Sequence, residues 1–119
     1  MFRLAGTLTL VLLCAGIIDS QTPKPPLFVV IFSLGPNWDA DKPADQQRGF
    51  REHSANLQRL RTGQSAVLGG RYSDKGMVII QAADEAAARG MFSGDEMVRA
   101  GVFRMELYPF APFYTGCIN

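Results

Sequence analysis

The octapeptide LFVVIFSL, residues 27–34, restricts the fold more than any other segment. Successive side chains on an extended chain point to opposite faces, so this run is apolar on both. A strand covered on both faces belongs inside a sheet. GPNWDADKP, a loop with two prolines, ends it. A second apolar run, MVIIQAA, follows SAVLGG and the turn SDKG, and the three together predict a hairpin with another interior strand. The last strand is different in kind. In VFRMELYPF, Phe103, Met105 and Leu107 alternate with Arg104, Glu106 and Tyr108, as in a strand buried on one face only.

Helical periodicity fills the gaps. From about Ala44 to Thr62, Phe50, His53, Leu57 and Leu60 recur at three- and four-residue steps on one face, while Arg48, Arg51, Glu52 and Arg59 point away. Gly63 is placed to end this helix. Asp84 is placed to cap a second one, EAAARGMF, interrupted by SGD, and the short EMVRAG leads into the last strand. The order βαββαβ predicts an α+β domain of the ferredoxin-like type, with a four-stranded antiparallel sheet whose first and third strands are central. Two helices cover one face of such a sheet, so the apolar residues of the other face need a partner, and a second copy of the chain is the economical one. Burying a few hundred Å² at about 25 cal/mol per Å² contributes several kcal/mol to a homodimer.

The first twenty residues are a different sort of sequence. Arg3 precedes LAGTLTLVLLCAGII and then the polar DSQTPKPP. The apolar run is short for a membrane span, so residues 1–20 are expected to be a cleaved signal peptide and 21–26 a linker, with the domain at 27–114 and a tail at 115–119. The expected location is exported, periplasmic or secreted, with no membrane attachment after cleavage. Cleavage removes Cys14 and leaves Cys117 as the lone thiol, which excludes an intrachain disulfide. A net charge of +1 without any basic run speaks against nucleic-acid binding.

The only histidine of the chain, His53, lies on the apolar stripe of its helix. It is either a core residue with one backbone partner or a general acid/base, and the second role requires a carboxylate or carbonyl to fix its tautomer. By topology Asp95, in the turn before the last strand, is the nearest candidate, and Asp74 in the hairpin turn is another. No metal-ligand spacing, calcium loop, GxSxG elbow or phosphate loop is present, so neither a metal nor another cofactor is expected. Trp38, Tyr72, Phe92 and Tyr108 are candidate pocket aromatics, each also suited to packing.

HSANLQRL, GGRYSDKG and GDEMVRAGVFRMELYPF, taken in order, resemble the YciI-like (YCII-related) family, over Leu27 to about Phe110. The resemblance implies a ferredoxin-like fold that dimerises into an α/β barrel. It also implies a cleft in which His53 is the acid/base and Asp95 its orienting partner, with Gly70, Arg71 and Asp74 on the substrate-binding hairpin. Arg71 and Glu96 stand where the family usually has prolines. Arg71 is then either an anion contact at the cleft rim or a solvated strand-end arginine, and Glu96 bears on the loop that aims Asp95. Export is a further departure, since most members look cytoplasmic. Relatives acting on small cyclic or aromatic compounds imply a cofactor-independent enzyme with a small-molecule substrate. The alternative is a non-catalytic module that holds a small ligand in the same cleft.

Overall fold

The computed structural model describes residues 23–116. The chain runs through β1 (Leu27–Leu34), a single 3-10 turn (Ala44–Gln46), α1 (Phe50–Thr62), β2 (Ala66–Tyr72), β3 (Lys75–Gln81), α2 (Glu85–Gly90), α3 (Glu96–Arg99) and β4 (Phe103–Phe110). The strands form one antiparallel sheet in the order β2-β3-β1-β4. The two strands that are apolar on both faces are therefore the two central ones. The predicted signal peptide, residues 1–20, and both cysteines, Cys14 and Cys117, lie outside the described residues. Among the described residues no helix is long and apolar enough to cross a membrane.

Register decides which side chains share a face. Val30 lies opposite both Val78 and Leu107, Phe28 opposite Ile80, and Phe32 opposite Gly76 and Met105. The even-numbered residues of β1 and β3 thus form one apolar layer. Leu57 and Leu60 of α1, Ala88 of α2, and Phe92 close over it. Val30, Ile80 and Ala88 are fully buried there, and the valine and isoleucine side chains each stabilise the fold by roughly 1.5–3 kcal/mol. The opposite face carries Leu27, Val29 and Ile31 of β1 and Met77 and Ile79 of β3, bordered by Leu68 and Tyr72 on β2 and Tyr108 and Phe110 on β4. The border residues are exposed.

The long helix ends where expected, at Thr62 with Gly63 as its C-cap, but it starts later than expected. Ala44–Gln46 is a separate 3-10 turn, and α1 begins only at Phe50. The reason is Gly49, whose φ of +81° is left-handed and breaks the helical run. A Cβ at Gly49 would stand 2.8 Å from the Met97 amide nitrogen, so glycine here also lets the start of α1 pass close beside α3. At the other end Ser65 N donates to Leu60 O and Gln64 N to Arg61 O, a Schellman closure. The left-handed position in it is Gln64, with φ +63°, one residue beyond Gly63. Asp84 caps α2 as expected, accepting from Ala87 N at 2.7 Å.

The hairpin turn is tighter than SDKG. Tyr72 pairs directly with Lys75, leaving a two-residue loop of Ser73 and Asp74, with Ser73 at φ +52°. That carries both strands right up to the mouth of the site described next.

Candidate functional site

Three segments that are remote in sequence meet at one end of the helix-covered face. The β1–α1 loop is pinned by Gln47, a buried amide that donates to Asp39 O at 2.6 Å and Lys42 O at 2.9 Å and accepts from Asp39 N at 3.0 Å. Asn37 anchors the same loop to the chain before β4, its amide donating to Ala100 O at 2.8 Å. Held in this way, Trp38 stacks on Phe103, with ring centroids 5.9 Å apart and planes within 10°. Together they form an aromatic wall.

His53 enters from the first turns of α1. Its Nδ1 lies 2.6 Å from Asp95 Oδ2, and both side chains are buried, Asp95 to 1 % exposure. Asp95 is the residue that starts α3. Its Oδ1 accepts from Met97 N at 3.1 Å and Val98 N at 3.4 Å, so three N–H groups converge on the two oxygens, the arrangement suited to a carboxylate. A carboxylate only accepts, which assigns the proton to Nδ1 and leaves Nε2 of the neutral ring as an acceptor. Phe32 and Phe103 present edges to the imidazole at centroid distances of 4.9 Å and 5.3 Å, clamping its plane. Glu96 opens α3 and pairs with Arg48 at 3.3 Å, tying the approach to α1 to the loop that aims Asp95.

Nε2 has no hydrogen-bond partner among the described residues, yet no fully buried side-chain nitrogen or oxygen there lacks one. Nε2 is therefore not sealed in the core. It reaches the cleft that His53 lines, a space of about 540 Å³ floored by Phe32 and Val78 and walled by Trp38, Phe50 and Phe103. Such a volume is suited to a small organic molecule.

The hairpin forms the far side of the same cleft, where Gly70, Arg71 and Asp74 all line it. Asp74 does not partner His53. It is bound instead by Lys75 at 2.9 Å, and that hydrogen bond and the ammonium charge hold the Asp74 carboxyl below the usual carboxylate range. Of the candidate aromatics, only Trp38 faces the cleft. Phe92 lies beneath it, 2 % exposed and edge-on to Phe32, while Tyr72 and Tyr108 stand on the opposite face of the sheet. Phe32, Phe50 and Phe103, which sequence reasoning did not assign to a pocket, line the cleft beside Trp38. The β4 alternation marks Phe103 as inward, but nothing local marks it as cleft rather than core.

Asn56 and Gln47 are the two other buried polar residues that sequence reasoning did not single out. Asn56 sits on the apolar stripe of α1, donates to Met91 O at 3.0 Å and accepts from Arg59, tying α1 to the end of α2. Among the described residues no group of three or more His, Cys, Asp or Glu side chains is arranged to hold a metal ion. Compared with known proteins, the chain matches no family model and no curated sequence significantly.

Proposed function

We propose that the protein is an exported, YciI-like enzyme without a cofactor, in which His53 moves a proton on a small cyclic or aromatic compound. The observation that carries this reading is the 2.6 Å contact between His53 Nδ1 and a buried Asp95, with Nε2 opening on an aromatic cleft. In the reaction, neutral Nε2 takes a proton from a carbon or hydroxyl of the substrate. Asp95 stabilises the imidazolium that forms, and the proton is returned at another position or to a leaving group. Burial of the pair strengthens this stabilisation, because the charges interact in a medium less polarisable than water.

The proposed architecture follows the same line. The strand order β2-β3-β1-β4 supports a ferredoxin-like assignment, and the half-covered sheet face around Ile31 and Ile79 supports packing sheet against sheet in a homodimeric α/β barrel. A second reading has one specific observation behind it. Asp95 already has a structural task in capping α3, so the pair is also consistent with a scaffold for a cleft that binds a ligand without transforming it.

Turnover separates the two. Small aromatic and lactone compounds are screened first for raising the thermal midpoint and then for conversion. Proton transfer by His53 predicts that His53→Asn keeps the fold and the ligand but loses on the order of 10²–10⁴ in kcat/KM. Full turnover in both His53→Asn and Asp95→Asn removes the acid/base role.

A further inference from the structure

The cleft is asymmetric in charge, and its asymmetry names a class of ligand. Across the sheet, Arg71 of β2 lies opposite Gly76 of β3, which lies opposite Phe32 of β1. Phe32 packs in the helix-covered core, so all three positions of this row face the cleft side of the sheet. With strands about 4.8 Å apart, the Arg71 and Phe32 backbones are about 10 Å from each other. The position between them has no side chain. A Cβ at Gly76 would already touch the Phe32 ring at 3.9 Å, and anything longer would fill the floor of the cleft. Gly69, two residues before Arg71 on the same face, leaves the neighbouring position empty as well.

One end of this slot is His53 Nε2, over Phe32. The other is Arg71, which makes no ion pair among the described residues. Both carboxylates nearby are engaged elsewhere, Asp74 with Lys75 and Asp95 with His53. An uncompensated guanidinium at one end, a proton acceptor at the other and stacked aromatic rings alongside form a receptor for a flat ring bearing an anion. Guanidinium matches a carboxylate in two parallel hydrogen bonds, a fit that lysine cannot make.

We infer that the compound this cleft takes is a monocyclic aromatic carboxylate, whose carboxylate is read by Arg71 while its ring lies over Gly76 and Phe32 toward His53. The inference rests on reading the cleft as a small-ligand site and not on catalysis by His53. Arg71 is thus a specificity residue, standing where the resembling family usually has proline.

Trp38 is the only tryptophan in the sequence and stands in the cleft wall, so its fluorescence reports occupancy directly. The probes are 4-hydroxybenzoate, benzoate and 2-hydroxybenzoate, each titrated against its uncharged amide. At least one acid is expected to bind about tenfold or more tightly than its amide, with the preference shrinking as salt rises. Arg71→Gln, at an exposed strand position that carries no packing, is expected to abolish the preference while leaving amide binding and the circular dichroism spectrum unchanged. Equal binding of acids and amides, an undiminished preference in Arg71→Gln, or no binding of any of the three acids overturns the inference. The preference is expected to persist in His53→Asn. A failed proton-transfer assay with the preference intact therefore counts against the enzyme reading alone, and a preference lost in Arg71→Gln but kept in His53→Asn supports the assignment of Arg71 as the anion reader.

Discussion

Removing the Asp95 carboxylate tests the centre of the site, and the geometry sets the size of the effect. Asp95→Ala strips the acceptor from two amides at the start of α3 and from His53 Nδ1. Loss of a helix cap costs about 1 kcal/mol. A stranded buried donor costs about 1–3 kcal/mol, toward the lower end here because the imidazole can shift its proton to Nε2, which faces the cleft. The expected total is about 2–3 kcal/mol, which for a domain of this size lowers the thermal midpoint by roughly 10–20 °C. Asp95→Asn behaves differently. Its amide oxygen keeps the caps, but its NH₂ now faces Nδ1 and forces the ring to carry its proton on Nε2. Stability should fall by only about 1 kcal/mol, whereas the proton-accepting site on the cleft disappears. Chemical denaturation of both variants, of His53→Ala and of the Asp95→Ala/His53→Ala double variant gives the coupling, expected at about 1.5–3 kcal/mol for a charge-assisted bond. Imidazole ¹⁵N shifts report the tautomer. Coupling within about 0.5 kcal/mol of zero, or an unchanged tautomer in Asp95→Asn, would refute the assignment of the proton to Nδ1.

Gly49→Ala should cost at least about 2 kcal/mol, because a left-handed alanine is strained by about 1–2 kcal/mol and its Cβ would also press on the Met97 and Glu96 backbone. A neutral result in thermal melts would mean that α1 does not start against α3. The Tyr108 hydroxyl donates to Glu106 at 3.0 Å, and this bond together with the carboxylate charge raises the phenol above its ordinary titration point. A raised value stabilises the fold below the unfolded tyrosine pKa and loses that contribution as pH rises through the folded one, so Glu106→Gln should move the phenolate absorbance transition to lower pH. An unmoved transition would show that the bond is not formed in solution. Ile31→Lys, in the middle of the half-covered sheet face, should leave the domain folded but shift sedimentation equilibrium from dimer to monomer, and a wild-type protein that sediments as a monomer would remove the barrel from the proposal.

The elements readable in advance are those whose evidence is local. Alternation in β4, the doubly apolar runs of β1 and β3, the stripe through Phe50, His53, Leu57 and Leu60, and the Asp84 cap all depend on the spacing of neighbours along one chain direction, and each appears in the structure where that spacing puts it. The start of α1 is misjudged because periodicity ignores backbone handedness: Ala44 to Arg48 continue a plausible polar helix, and only the close passage of α1 beside α3 demands a left-handed Gly49. Gln47 carries no local mark of burial for the same reason. Its three bonds go to a loop whose path over the sheet no local pattern specifies.

The site divides along the same line. That His53 would face inward follows from 3.6-residue geometry alone, and that an acid/base role would need a carboxylate or carbonyl to orient the ring follows from the chemistry of imidazole. Topology and the resemblance already put Asp95 ahead of Asp74, but the contact itself belongs to the tertiary structure. Both are turn aspartates, but closure of the sheet brings the α3 cap to 2.6 Å from the ring and leaves the hairpin aspartate to its neighbouring lysine. Likewise four aromatic residues are equal candidates on paper, and only the stacking of Trp38 on Phe103 and the direction of β4 assign one to the cleft, one to the core and two to the far face. Covalent spacing sets which way a side chain points on its own element. Which distant side chain it then meets is set by how the elements pack, an energy shared over the whole core that no short stretch of sequence contains.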